Sequence, residues 1–106
     1  MRLPPALAAR ATEEVVRLLP PPPACILEVG FAGIHAVPLR NGGYQVVVVE
    51  PDPEFLARAR ERADDAVASV PAGLYDAVVA PEDADLAHVS AAHVIRVRRD
   101  GTAYMA

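Results

Sequence analysis

The chain has 106 residues, 53% of them hydrophobic, and a net charge of −4. That is one domain's length with enough apolar material for a packed core, which excludes intrinsic disorder, and the acidic balance argues against nucleic acid as a partner. Cys25 is the single cysteine, which excludes an intramolecular disulfide and a cysteine-based zinc site. No apolar run is long enough to span a bilayer, and Met1-Arg2-Leu3-Pro4-Pro5 lacks a signal-peptide core, so a cytoplasmic protein is expected.

In chain order, residues 4 to 19 are expected to form an N-terminal helix. Pro4 and Pro5 suit its first turn, Leu7, Ala11, Val15, Leu18 and Leu19 make its apolar face, and Arg10, Glu13, Glu14 and Arg17 its solvated one. Prolines 20–23 form a stiff linker, and residues 24–106 an α/β core within one domain spanning 1–106. A first strand is expected over 24–29, followed by a short or kinked helix over 32–40, because Pro38 disturbs a helix interior. Asn41-Gly42-Gly43 ends that helix, and a second strand runs over 44–50. Asp52-Pro53-Glu54 is a helix start, with a capping acid, a first-turn proline and a favourable charge, for a helix reaching about residue 63. Residues 66–70 read as a short strand or a loop, 74–80 as a strand and 83–91 as a helix. The end has two readings. Either that helix continues to Arg98 and 102–105 is the last strand, or residues 93–99 and 102–105 form a hairpin across a two-residue Asp100-Gly101 turn.

Two apolar runs end in acids 22 positions apart. Ile26-Leu27-Glu28-Val29 runs into Gly30-Phe31-Ala32-Gly33, and Val46-Val47-Val48-Val49 ends at Glu50. Continuous apolar runs are the mark of buried parallel strands, whose carboxyl ends form the ligand crevice of open α/β sheets. An acid about 20 residues past a glycine turn is the usual partner of a ribose diol. A nucleoside site is therefore expected at the Gly30–Gly33 turn and Glu50. Only Gly30 is in register with a dinucleotide fingerprint, so a nicotinamide cofactor fits less well. Ser69 and Ser90 lie in no nucleophile context, and no metal site is expected, since Glu82, Asp85 and His88 read as a solvated helix face. His35 reads as a surface histidine, with a ligand contact as the alternative; Arg58 and Arg62 read as a solvated row, with a phosphate site as the alternative; and Arg96, Arg98 and Arg99 read as a solvated element end, with an anionic partner as the alternative.

With these elements placed, the chain resembles a short class I S-adenosylmethionine-dependent methyltransferase domain. Residues 26–33 resemble that family's first motif, 47–60 its second strand and following helix, 74–80 its fourth strand, and 94–102 the turn into its fifth. The resemblance implies an α/β, three-layer Rossmann-like fold with a short, mainly parallel sheet, to which this chain adds its N-terminal helix. It implies S-adenosylmethionine as cofactor, with Gly30, Phe31 and Gly33 around it, Glu28 toward its cationic amino-acid end, Glu50 on the ribose hydroxyls and Asp65 facing the adenine. No catalytic side chain is implied, because methyl transfer proceeds by holding donor and acceptor in line. The family favours glycine where Ala32 and Ile34 stand, so weak cofactor binding, at best high-micromolar, is expected. Residues 80–83 lack the Asn-Pro-Pro-Tyr type of motif that amino-group methyltransferases use. The sheet is expected to stop at a fifth strand, so a substrate pocket would come from a second subunit or another protein partner, and a homodimer is expected. The alternative is a non-catalytic interaction or structural protein that has kept the fold and lost the cofactor site.

Overall fold

A computed structural model describes residues 2–106. The elements are α1 (Pro5–Leu18), β1 (Cys25–Val29), α2 (Ala36–Asn41), β2 (Gln45–Val49), α3 (Pro53–Arg62), β3 (Asp65–Val67), β4 (Leu74–Pro81), β5 (Ser90–Val97) and β6 (Ala103–Met105). They build one six-stranded sheet in the order β3-β2-β1-β4-β5-β6. All neighbours are parallel except β5 and β6. The expected α/β fold with a mainly parallel sheet and an N-terminal helix is present. Among the described residues no helix is long and apolar enough to cross a membrane.

All three helices pack on one face of the sheet. There Ala11 and Val15 of α1, Leu39 of α2 and Ala59 of α3 meet Ile26, Val46, Val48, Val79 and Ile95 in one core. The opposite face carries Leu27, Val49 and Val78, and it is covered by Val70, Leu86 and Val89 from the loops at 68–73 and 82–89. The third layer is therefore made of loops. Alternation along β1 explains the division, since Ile26 and Glu28 point to the helices while Leu27 and Val29 point to the loops.

The local signals in the first half act as expected. Asp52 caps α3, its Oδ1 accepting from the Glu54 N–H at 2.9 Å. Pro38 sits in the first turn of α2, where backbone donors need no partner, and the helix starts at Ala36 rather than at residue 32.

The expected helix over 83–91 is not formed. The parallel register sets Leu74 beside Ser90 and Pro81 beside Val97. The chain must therefore travel back along the whole of β4, about 23 Å at 3.3 Å per residue, between Pro81 and Ser90. Nine helical steps would cover only about 14 Å. The crossover runs as two turns, closed by Ala84 N–H to the Pro81 carbonyl and Val89 N–H to the Leu86 carbonyl, and Arg96 fixes its start, donating from Nη1 to the Pro81 and Ala84 carbonyls at 2.8 Å each. Of the two readings of the C-terminus the hairpin is correct, with a longer first strand. Its connection is not a two-residue turn. Arg98 N–H pairs with the Thr102 carbonyl, Gly101 N–H with the Arg98 carbonyl, and Gly101 takes φ +85°. This is the three-residue hairpin loop with glycine in the left-handed position. With β3 and both hairpin strands formed the sheet has six strands, one more than the resemblance implies.

Candidate functional site

Parallel register sets Val29 opposite Val49, so the residues that follow, Gly30 and Glu50, leave the sheet side by side. The chain after β1 turns through residues 30–35 with Gly30 at φ +83°, Ala32 at +54° and Gly33 at +83°. Gly30 is required locally, because a Cβ there would lie 2.9 Å from Pro81 Cδ at the end of β4. Gly33 is favoured by its left-handed φ of +83°, since a Cβ there would meet Ala59 only at an ordinary contact distance of 3.5 Å. Ala32 holds a conformation that costs an L-residue about 1–2 kcal/mol.

A cavity of about 400 Å³ opens above this turn, within the range of small-ligand sites. Gly30, Phe31, Ala32 and Ile34 line one side, and Glu50 and Phe55 the other. Arg2, Arg58 and Arg62 stand around it. Glu50 Oε2 accepts from the Asp52 N–H at 2.8 Å, while among the described residues Oε1 has no hydrogen-bond partner. The crevice shared by Glu50 and the glycine turn is thus where the sequence places it.

The other expected contacts fall elsewhere. Glu28 is 0% exposed and does not reach the cavity. It points into the helix layer beneath the turn, where Oε1 accepts from Gly33 N–H at 2.7 Å and Oε2 from His35 N–H at 3.2 Å. Burial raises its carboxyl to about 7, against the pull of these backbone donors and of Arg62. Its place is that of a brace for the turn. Gly33 is likewise buried against α3 and is absent from the cavity wall. Asp65 opens β3 instead of following it, and its Oδ1 accepts from the Ala66 N–H at 2.9 Å. Ala68 stands past the strand, so no acid there faces an adenine.

His35 is buried, not a surface residue. Its Nδ1 lies 2.8 Å from Thr12 Oγ1, whose own hydroxyl donates to the Ala8 carbonyl at 3.0 Å. Nδ1 therefore carries the proton, and Nε2 is a buried acceptor without a partner. Desolvation lowers its pKa to about 4, which keeps the ring neutral. Phe31 packs edge-on against it at 4.9 Å between centroids, joining the cavity floor to α1 through Thr12. At the far end of β1, Cys25 is half-buried, with its thiol pushed up by burial and by Asp76 and Asp64.

Sequence reasoning missed Arg2 and Phe55 as cavity residues and ranked an anion-binding role for Arg58 and Arg62 below a solvated surface. The Phe55 ring lies under Arg2 at 5.0 Å and near Arg58 at 5.7 Å. The available signal was the four-residue spacing of Arg58 and Arg62 just after the capping Asp52. Two arginines of the Arg96–Arg99 cluster are engaged within the fold. Arg96 holds the crossover, and Arg98 stacks on Tyr104 at 4.2 Å.

No protein-family model and no curated protein matches the chain. Solved structures do. One is a TehB-like S-adenosylmethionine-dependent methyltransferase from Corynebacterium glutamicum, 20% identical, with a TM-score of 0.57 over 66% of this chain and 42% of that one. Another, described as a "putative Methyltransferase", comes from Pseudomonas syringae, 18% identical, with a TM-score of 0.63 over 85% of this chain and 73% of that one. The chain thus shares the methyltransferase fold, and it spans less than half the length of the first of these neighbours.

Proposed function

We propose that this chain is a minimal methyltransferase-type domain that binds S-adenosylmethionine or a related nucleoside in the cavity between the residue 30–35 turn and α3. The observation that carries the reading is Glu50. It stands beside Gly30 at the carboxyl ends of two parallel strands, with Oε1 left to accept from a ribose diol. The fold neighbours support the same reading. The volume of the cavity and the open Glu50 oxygen support the nucleoside half of the cofactor. The cationic half has no such support, because Glu28, the acid expected there, is buried under the turn. When bound, S-adenosylmethionine supplies an electrophilic methyl group; this chain contributes Glu50 and the wall at Gly30, Phe31 and Phe55 to positioning. Calorimetry with adenosine and S-adenosylmethionine tests the reading. Glu50→Ala should weaken binding by about 1.5–3 kcal/mol, the worth of a charged hydrogen-bonding group. Unchanged affinity would remove Glu50 from the site.

A second reading, a non-catalytic protein with a reduced cofactor site, is favoured by Ala32 and Ile34, whose side chains line the cavity. It predicts high-micromolar binding of S-adenosylmethionine; submicromolar binding overturns it. Self-association belongs to both readings. Leu74 and Met105 are exposed, and β6 leaves an open edge. Unpaired edges and exposed apolar groups favour a second copy. Sedimentation should show a dimer at tens of micromolar protein, and a clean monomer there would count against it.

A further inference from the structure

We infer that the cavity selects a nucleoside with an anionic tail, a nucleoside 5′-phosphate, over one with a sulfonium. The inference rests on the nucleoside reading of Glu50 above and names the other end of the ligand.

Three arginines, Arg2, Arg58 and Arg62, line a cavity whose lining holds, among the described residues, a single acid, Glu50. Among the described residues the salt bridges are Arg17–Glu14, Arg40–Asp64 and Arg58–Glu54, so neither Arg2 nor Arg62 forms a direct ion pair, although Arg62 feels the buried Glu28 carboxyl through space. Arg58 meets Glu54 at 3.3 Å, but both side chains of that pair are well exposed. Such pairs contribute little and yield readily to a stronger anion. Arg58 and Arg62 are one helical turn apart on α3, so they share a face. Arg2 approaches from the other side, over the Phe55 ring. A planar guanidinium with parallel donors matches phosphate oxygens. The same groups repel a sulfonium and an ammonium, and Glu50, the one acid among the described lining residues, is taken up by the ribose, while Glu28 is sealed beneath the turn. Glu50 carries a charge that would repel a phosphate placed against it. The ribose therefore lies at Glu50 and the tail toward α3.

Titration calorimetry of the full chain with adenosine, adenosine 5′-monophosphate, S-adenosylmethionine and inorganic phosphate separates the terms. The monophosphate should bind about tenfold tighter than adenosine, the scale of one charge-assisted contact. S-adenosylmethionine should bind no tighter than adenosine. Raising salt should narrow the gap between monophosphate and adenosine. Arg58→Gln and Arg62→Gln should each narrow it as well, with unchanged melting temperatures because both side chains are on the surface. If adenosine binds and the phosphate adds nothing, or if S-adenosylmethionine binds tightest, the inference is overturned and the nucleoside reading stands. Inorganic phosphate matching the monophosphate would also overturn it, because the ribose would then contribute nothing. If none of the four ligands binds, both readings fall.

Discussion

Glu28→Gln and His35→Gln should give stabilities that change in opposite directions with pH. Burial lifts the Glu28 carboxyl from an ordinary 4.5 to about 7 in the fold. Between those values the native state holds a proton that the unfolded chain has released, so this group's contribution falls as pH rises across that window. His35 is lowered from 6.5 to about 4. Between those values the unfolded chain holds the extra proton, so its contribution rises with pH and is fully present above 6.5. Each amounts to about 3 kcal/mol across its window. The two windows overlap from 4.5 to 6.5, and there the effects offset each other. The wild type should therefore be nearly flat relative to its variants. Glu28→Gln leaves the histidine alone and should gain stability as pH rises; His35→Gln leaves the carboxyl alone and should lose it. Urea denaturation at a series of pH values reads this directly, and parallel slopes in the two variants would refute the buried assignment of either group. The remaining carboxylates are common to all three proteins and cancel from the comparison.

The turn over β1 should respond to single methyl groups with opposite signs. Gly30→Ala puts a Cβ at φ +83° and 2.9 Å from Pro81 Cδ, a ring that cannot rotate away. Left-handed strain and overpacking together should lower stability by about 2–4 kcal/mol. Ala32→Gly removes left-handed strain at φ +54°. Relief outweighs the added freedom of the unfolded chain, so the variant should gain up to about 1 kcal/mol. Ile34→Gly has no such strain to relieve, and it strips a half-buried side chain from the helix-side core at a loss of about 2–4 kcal/mol. The three denaturation midpoints measure the series. A loss for Ala32→Gly as large as that for Ile34→Gly would mean the turn does not hold the left-handed geometry. The positions where the resembled family favours glycine are thus not equivalent: one is conformational, the other packs.

What the chain determines by itself is local and periodic. The apolar runs at 26–29, 46–49 and 77–80 can be little other than buried strands, because both faces are covered. Asp52-Pro53 starts α3 by short-range capping, and Asp100-Gly101 marks the reversal into β6. Parallel pairing of such strands brings Glu50 to Gly30, so the crevice was legible from spacing alone. Three decisions required the tertiary structure. Residues 82–89 have helical periodicity, yet the β4–β5 register stretches them over a distance that a helix cannot span. Glu28 lies in a run apolar on both sides, which conceals the face it takes; only the fold seals it under the turn and makes it a brace. Arg58 and Arg62 have the spacing of any solvated helix face, and His35 that of a surface residue. Packing α3 beside the turn brings the arginines to the cavity, and packing α1 over the turn buries the histidine against Thr12. Backbone preference and periodicity act within a few residues, whereas these placements depend on which remote surface arrives opposite, and no local pattern encodes that.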